Sequence, residues 1–254
     1  MQDIGLSGKL VLVTGASTGI GAAAARALAR NGAHVAVHYN TSAAAAQSVA
    51  HAITAEGGTC YLVQGDLTQR HGPAEIVAKA AEALGGLDVL INNAGSLVRR
   101  EPFATVDDAL VDTVLNLNVL SVIRACQAAI PLLEQRGGGA IINVGSIAGM
   151  DGGGAGSMLY ASSKAFIHNL TRHLARDLAS RNIRVNCISP GVINTPFHAA
   201  TPPERMEAMR RSVALGRVGE PDDCAGAFVF LASSAMSGYI TGQNLHVNGG
   251  QFMP

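Results

Sequence analysis

Seven short β-branched runs, at residues 9–14, 34–39, 60–64, 88–91, 140–144, 184–188 and 244–247, constrain this chain more than any other feature. They are apolar without polar alternation, which is the pattern of a strand covered on both faces. Alanine-rich stretches of helical period separate them, near 20–31, 43–56, 73–84, 107–135, 159–180 and 221–233. Parallel neighbours need a crossover long enough to hold a helix, so this repeated exchange predicts a parallel sheet with helices on both sides. The expectation is one doubly wound α/β domain over residues 1–254, with seven parallel strands.

A chain of 254 residues with 48% apolar content can bury a large core without disulfides or metals. The glycine clusters 137–139 and 152–154 are too short to be linkers, and there are no internal repeats. Residues 194–219 form the longest stretch without a strand, rich in Pro, Arg and Met, and read as a partly helical lid over a site. Eighteen basic residues offset eighteen acidic ones, so no charge excess favours nucleic acid or an anionic membrane as partner. Cys60, Cys126, Cys187 and Cys224 are widely spaced in apolar runs and read as buried thiols, with no metal site among them. The start of the chain lacks a signal-peptide pattern, and no run approaches the ~18 apolar residues that would cross a bilayer, so a cytoplasmic location is expected.

The first predicted strand runs directly into Gly15, Ser17, Thr18, Gly19, Ile20 and Gly21, and a helix follows. Glycines here permit a tight turn, and the amides of the helix start suit a pyrophosphate. Glycines that only ease helix–strand packing are the alternative. Asp66, followed by Leu67, ends the third strand, where a carboxylate accepts from an adenine amine or caps the next helix. Asn93, Ala94 and Gly95 follow the fourth strand, at the carboxyl edge where such folds bind ligands.

Tyr160 and Lys164 stand four residues apart on a predicted helix and share a face. An ammonium beside a phenol favours the phenolate, which brings Tyr toward acid/base use. Ser146, just past the fifth strand, is placed to aim a hydroxyl at the same pocket or to serve as a turn residue.

In order and interval, TGASTGIG, GDL, NNAG, Ser146, the Tyr160–Lys164 motif and Pro190-Gly191 resemble the short-chain dehydrogenase/reductase family over nearly the whole chain. The resemblance implies a Rossmann-type fold and hydride transfer between a nicotinamide and a carbonyl or alcohol. It makes Tyr160 the proton donor, Ser146 a hydrogen-bond partner of the carbonyl oxygen, and Lys164 the group that lowers the Tyr160 pKa and holds the ribose. Asn118 matches the family's fourth residue, with Asn116 competing. Pro190, Gly191, Ile193 and Thr195 would grip the carboxamide. Members are usually homotetramers, paired here through the helices near 107–135 and 159–180.

The chain departs from the family pattern in two places. The Ser146–Tyr160 interval is one residue longer than usual, and the glycine-rich stretch 151–156 is expected to absorb it. The second strand ends in His38-Tyr39-Asn40-Thr41, without the acidic residue that NAD-preferring members carry, so NADP(H) is favoured over NAD(H) although no basic residue replaces Thr18. The general run resembles 3-oxoacyl-carrier-protein reductases. Residues 93–100, 145–154 and 238–251 resemble bacterial reductases of alginate-derived keto-uronates. That makes a sugar-derived keto acid the expected substrate and a 3-oxoacyl thioester the alternative; Arg99, Arg100 and His198 are candidates for its anionic end, although a solvated or subunit-edge role is the favoured reading of both arginines. A dinucleotide-binding sensor or scaffold of the same fold is the non-enzymatic alternative.

Overall fold

The computed structural model describes residues 4–254. In chain order the elements are β1 (Leu10–Val13), α1 (Gly19–Arg30), β2 (His34–Tyr39), α2 (Ala43–Ala55), β3 (Thr59–Gln64), α3 (Gly72–Leu84) and β4 (Val89–Asn92). They continue with α4 (Asp108–Leu115), α5 (Ser121–Gln135), β5 (Gly139–Val144), α6 (Ala148–Asp151), α7 (Met158–Asp177), β6 (Ile183–Pro190), α8 (Pro203–Arg211), α9 (Pro221–Ala232), α10 (Ser234–Ser237) and β7 (Asn244–Val247). All seven strands are parallel, in the order β3-β2-β1-β4-β5-β6-β7.

The strand period explains why the inner runs are apolar throughout. Val11, Val13, Val35, Val37, Ile91 and Ile142 face one core with alanines of α1, Ile53 of α2 and Phe228 of α9. Leu10, Leu12, Ala36, Leu90 and Ile141 face the other, against Ile76 of α3, Val122 of α5 and Ile167 of α7. The outer strands depart from the expectation of two covered faces. Tyr61 and Leu62 of β3 and Leu245 of β7 are exposed, because helices cover the middle of a twisted sheet more fully than its edges. Cys60 is accordingly only half-buried, while the other three cysteines are buried thiols.

The stretch Asp108–Gln135 is long and apolar enough to cross a membrane by length and composition, although Asp112, Asn116, Asn118 and Arg124 keep any unbroken apolar run in it short. In the fold α5 lies instead against α3, β4 and β5. Between α4 and α5 the helix widens into one π turn over Asn116–Leu120, a local irregularity frequent at functional sites.

At the amino end of the sheet, buried Asp88 accepts from the Leu10 amide (2.9 Å) and from Arg136 Nε (3.1 Å), with Lys9 Nζ 3.8 Å away. At the opposite end, strand order reverses between β1 and β4. Helices there leave to opposite faces and open a crevice at the carboxyl edge.

Candidate active site

The crevice is stitched from its two walls. Thr14, after β1, donates its hydroxyl to the Ile91 carbonyl (3.2 Å) and accepts from the amides of Asn93 (3.0 Å) and Ala94 (3.1 Å). Asn93 Nδ2 returns bonds to the carbonyls of Thr14 (2.9 Å) and Gly15 (3.0 Å). Gly15 and Gly19 have φ of +61° and +56°, and a Cβ on Gly21 would overlap the Asn93 amide and the Gly15 carbonyl. Thr18 caps α1 without a side-chain bond, so the opening amides of that helix have no side-chain partner. Ser17, Thr18 and Gly19 line a cavity of about 370 Å³ with Arg26, Ser48 and Val49.

His38 spans this region. Its Nδ1 accepts from the Gly15 amide (3.0 Å), which leaves Nε2–H to donate to the Gly65 carbonyl (3.1 Å). Burial pushes its pKa down, so the ring is neutral at pH 7 and fixes the glycine turn against the end of β3. Tyr39 packs on the core and Asn40 is exposed. Asp66 closes a turn on itself, accepting from the Thr68 amide (2.9 Å) and hydroxyl (2.7 Å) and from Gln69 Nε2 (3.1 Å); these bonds, from Thr68 first, hold its carboxyl below the usual range. Leu67 and Ile193 are buried, so their side chains are not available to a ligand. Thr195 touches the glycine turn, since a Cβ on Gly19 would lie 3.2 Å from its Cγ2. Pro190 and Gly191 are tied to β7 and the C-terminal segment: Gly191 donates to Val247, and Gln251 Oε1 accepts from Val192 (3.0 Å).

On the β5 and α7 side, Ser146, Tyr160 and Lys164 come together. Ser146 Oγ accepts from the Ala148 amide (3.1 Å) and lies beside Tyr160, where it favours the phenolate. Burial outweighs it and pushes the Tyr160 pKa upward. Lys164 is buried; its Nζ donates to the Val144 carbonyl (2.7 Å) and lies 5.7 Å from the Tyr160 ring centre. Burial lowers its pKa to about 8. Burial thus comes first for the phenol, while the Lys164 ammonium is engaged by the Val144 carbonyl. Asn118 sits in the π turn. Its Oδ1 accepts from the Ser96 amide (2.9 Å), and its Nδ2 donates to the Ser96 carbonyl (2.9 Å) and Ser163 Oγ (3.2 Å). A Cβ on Gly95 would lie 3.1 Å from both Asn118 Oδ1 and Lys164 Nζ, so the loop, the asparagine and the lysine meet at one point. Asn116 instead bonds back to Asp112 of its own helix.

Between Ser146 and Tyr160, just after α6, Gly152, Gly153 and Gly156 all adopt positive φ. The cradle of glycines, the uncapped start of α1 and the Lys164–Asn118–Gly95 junction fit an extended dinucleotide along the carboxyl edge of β1, β4 and β5. A family model described as enoyl-(acyl carrier protein) reductase matches residues 15–251. The chain belongs to the short-chain dehydrogenase/reductase family. Like other short-chain dehydrogenases/reductases, it is an NAD(P)-dependent oxidoreductase. It is 38% identical to the 3-oxoacyl-[acyl-carrier-protein] reductase FabG of Staphylococcus aureus (strain Mu50), over 96% of this chain and 98% of that protein. Among solved structures it superposes on the NADH-dependent reductase A1-R' responsible for alginate metabolism with a TM-score of 0.90, at 38% identity and 98% and 99% coverage. The NADP-bound 3-oxoacyl (acyl-carrier-protein) reductase of Agrobacterium tumefaciens C58 gives a TM-score of 0.90 at 33% identity, with 98% and 96% coverage. Both NAD and NADP thus occur among close short-chain dehydrogenase/reductase neighbours.

Thr14, His38, Ser96 and Ser163 escaped the sequence reading of the site. Ser163 carried a usable signal, lying between Tyr160 and Lys164 on one helix. His38 carried none, because its role depends on the turn folding over a neighbouring strand. Arg99, an expected candidate for substrate contact, is instead paired with Asp107 (2.7 Å) and Glu101 (3.4 Å).

Proposed function

We propose that this protein reduces the carbonyl of a small, sugar-derived keto acid to a secondary alcohol, preferring NADP(H), with Tyr160 as the proton donor. The observation that carries this reading is the convergence of Tyr160, Ser146 and Lys164 beside the switch-point crevice. Bound reduced dinucleotide supplies a hydride to the carbonyl carbon. The upward-shifted phenol keeps its proton at neutral pH, which suits a donor, and releases it to the carbonyl oxygen as charge develops there. Ser146 hydrogen-bonds that oxygen. The Lys164 ammonium, close behind the ring, stabilises the phenolate left behind. Gly15 to Gly21 and Asn93 to Gly95 hold the dinucleotide, while Thr195 and the Ile193 backbone orient its carboxamide. Residues 194–219, which fold into a short 3₁₀ turn and α8, close the pocket as a lid.

Similarity to FabG supports 3-oxoacyl thioester reduction as a second reading. One experiment separates the two: loss of reduced-nicotinamide absorbance, with NADPH and NADH each offered a keto-uronate and an acetoacetyl thioester. Faster turnover of the keto-uronate is expected, and preference for the thioester overturns the substrate reading. Tyr160→Phe is expected to lose about 10²-fold or more in kcat while still binding dinucleotide. Undiminished turnover in that variant would sink the mechanism, and binding without turnover of any carbonyl in the wild type would leave a sensor.

A further inference from the structure

Arg100 and Arg205 converge on one backbone carbonyl with no carboxylate paired to either among the described residues, and His198 lies near Arg100. Arg100 follows the Asn93–Gly95 loop, and its Nη1 donates to the Ala155 carbonyl at 3.0 Å. Arg205, on α8, donates Nη2 to that same carbonyl at 3.4 Å. A Cβ on Gly154 would lie 2.7 Å from Arg205 Nη2 and 3.9 Å from Arg100 Nη1, so two guanidinium edges crowd one stretch of backbone. Among the described residues neither arginine makes an ion pair, whereas Arg99, Arg210, Arg211 and Arg217 are each neutralised by Asp or Glu. His198 is the third member. Burial first, then the Arg100 charge, lowers its pKa, so it sits near Arg100 as a neutral ring, its Nδ1 3.4 Å from the Thr201 hydroxyl.

Two like charges held against one carbonyl repel each other, and one carbonyl dipole offsets only part of that. An anion between them removes the repulsion and replaces it with forked charge-assisted bonds. The cluster also adjoins the reaction site. The loop carrying Ala155 leads into α7 and Tyr160, and the Glu101 amide next to Arg100 bonds the Gly156 carbonyl (3.0 Å). The Phe197 ring lies 5.3 Å from that of Tyr160 and 5.1 Å from that of His198, one aromatic layer between the phenol and the basic group.

We infer that Arg100 and Arg205, with neutral His198 beside them, form a subsite for a substrate carboxylate several bonds removed from the carbonyl that meets Tyr160. This rests on the reductase reading above and narrows its substrate to an anionic keto acid. Because Arg205 rides on the lid and Arg100 on the loop after β4, the bound carboxylate also ties the lid across the pocket.

Levulinate and its neutral methyl ester form a matched pair for the test. The wild type is expected to favour levulinate by at least tenfold in kcat/KM. Arg205→Gln and Arg100→Gln are each expected to collapse that ratio toward one, and Arg211→Gln, at the outer face of α8, to preserve it. Calorimetric binding of levulinate to the protein loaded with oxidised dinucleotide provides a readout that needs no turnover. Loss of that binding in Arg205→Gln supports the subsite even where reduction itself fails, which would overturn the reductase reading alone. Equal binding, or an unchanged acid-to-ester ratio, in the Arg100→Gln/Arg205→Gln double variant overturns the subsite while leaving Tyr160 chemistry standing.

Discussion

Lys164 shows how much stability a single functional side chain withholds from the fold. It is only 4% exposed, with its ammonium on one carbonyl, and its pKa falls from 10.5 to about 8. With the folded value below the unfolded one, the unfolded chain binds more protons between pH 8 and 10.5, so stability rises with pH across that window and the cost is complete below it. The shift corresponds to on the order of 3 kcal/mol near neutral pH. Lys164→Met is therefore expected to abolish turnover while raising Tm by several degrees at pH 7, with the gain shrinking as pH passes 8. A Tm gain independent of pH, seen by differential scanning calorimetry, would rule out this origin. The end of β2 presents exposed Asn40 where no carboxylate opposes a 2′-phosphate. Asn40→Asp is expected to weaken NADPH about tenfold relative to NADH, by fluorescence titration; an unchanged ratio would place the 2′-phosphate elsewhere.

The elements hang together through contacts that sequence patterns reveal unevenly. Inner strands were legible because burial on both faces writes an unbroken apolar run; β3 and β7 gave the same run yet lie at edges, since sequence period does not report lateral position. The glycine turn, the Tyr160–Lys164 pair and Ser146 were legible because close approach and helical spacing demand those residue types. Asp88, His38 and Arg205 were not, because each acts across 23 to 78 residues of chain on a partner that only the fold supplies. Asp88 permits a direct measurement. It takes the Leu10 amide at the start of β1 and the Arg136 guanidinium after α5. Asp88→Ala leaves that buried amide unpaired and is expected to cost about 1–3 kcal/mol in urea unfolding. Asp88→Asn keeps an acceptor and should recover part of it. Equal losses in both variants would assign the effect to the ion pairs instead of the amide bond.

At the scale of the whole molecule, α4 and α7 carry exposed apolar side chains beside α5. Phe166 of α7 is 44% exposed and Leu115 of α4 38% exposed. Arg124 Nη1, on α5, is out of solvent with no hydrogen-bond partner among the described residues. An orphaned buried donor is costly, and the expectation is that a second copy packs over this face and its apolar side chains. The same helices carry the π turn with Asn118 and the Tyr160–Lys164 pair, so copies packed along them would back the reaction site. The expectation is a homotetramer of 26.0 kDa chains by light scattering. Phe166→Glu places a charge on this surface and should shift the population to smaller species with a lower kcat. A wild type that scatters as a single 26.0 kDa chain at micromolar concentration would end this reading and leave Arg124 to find its partner within one chain.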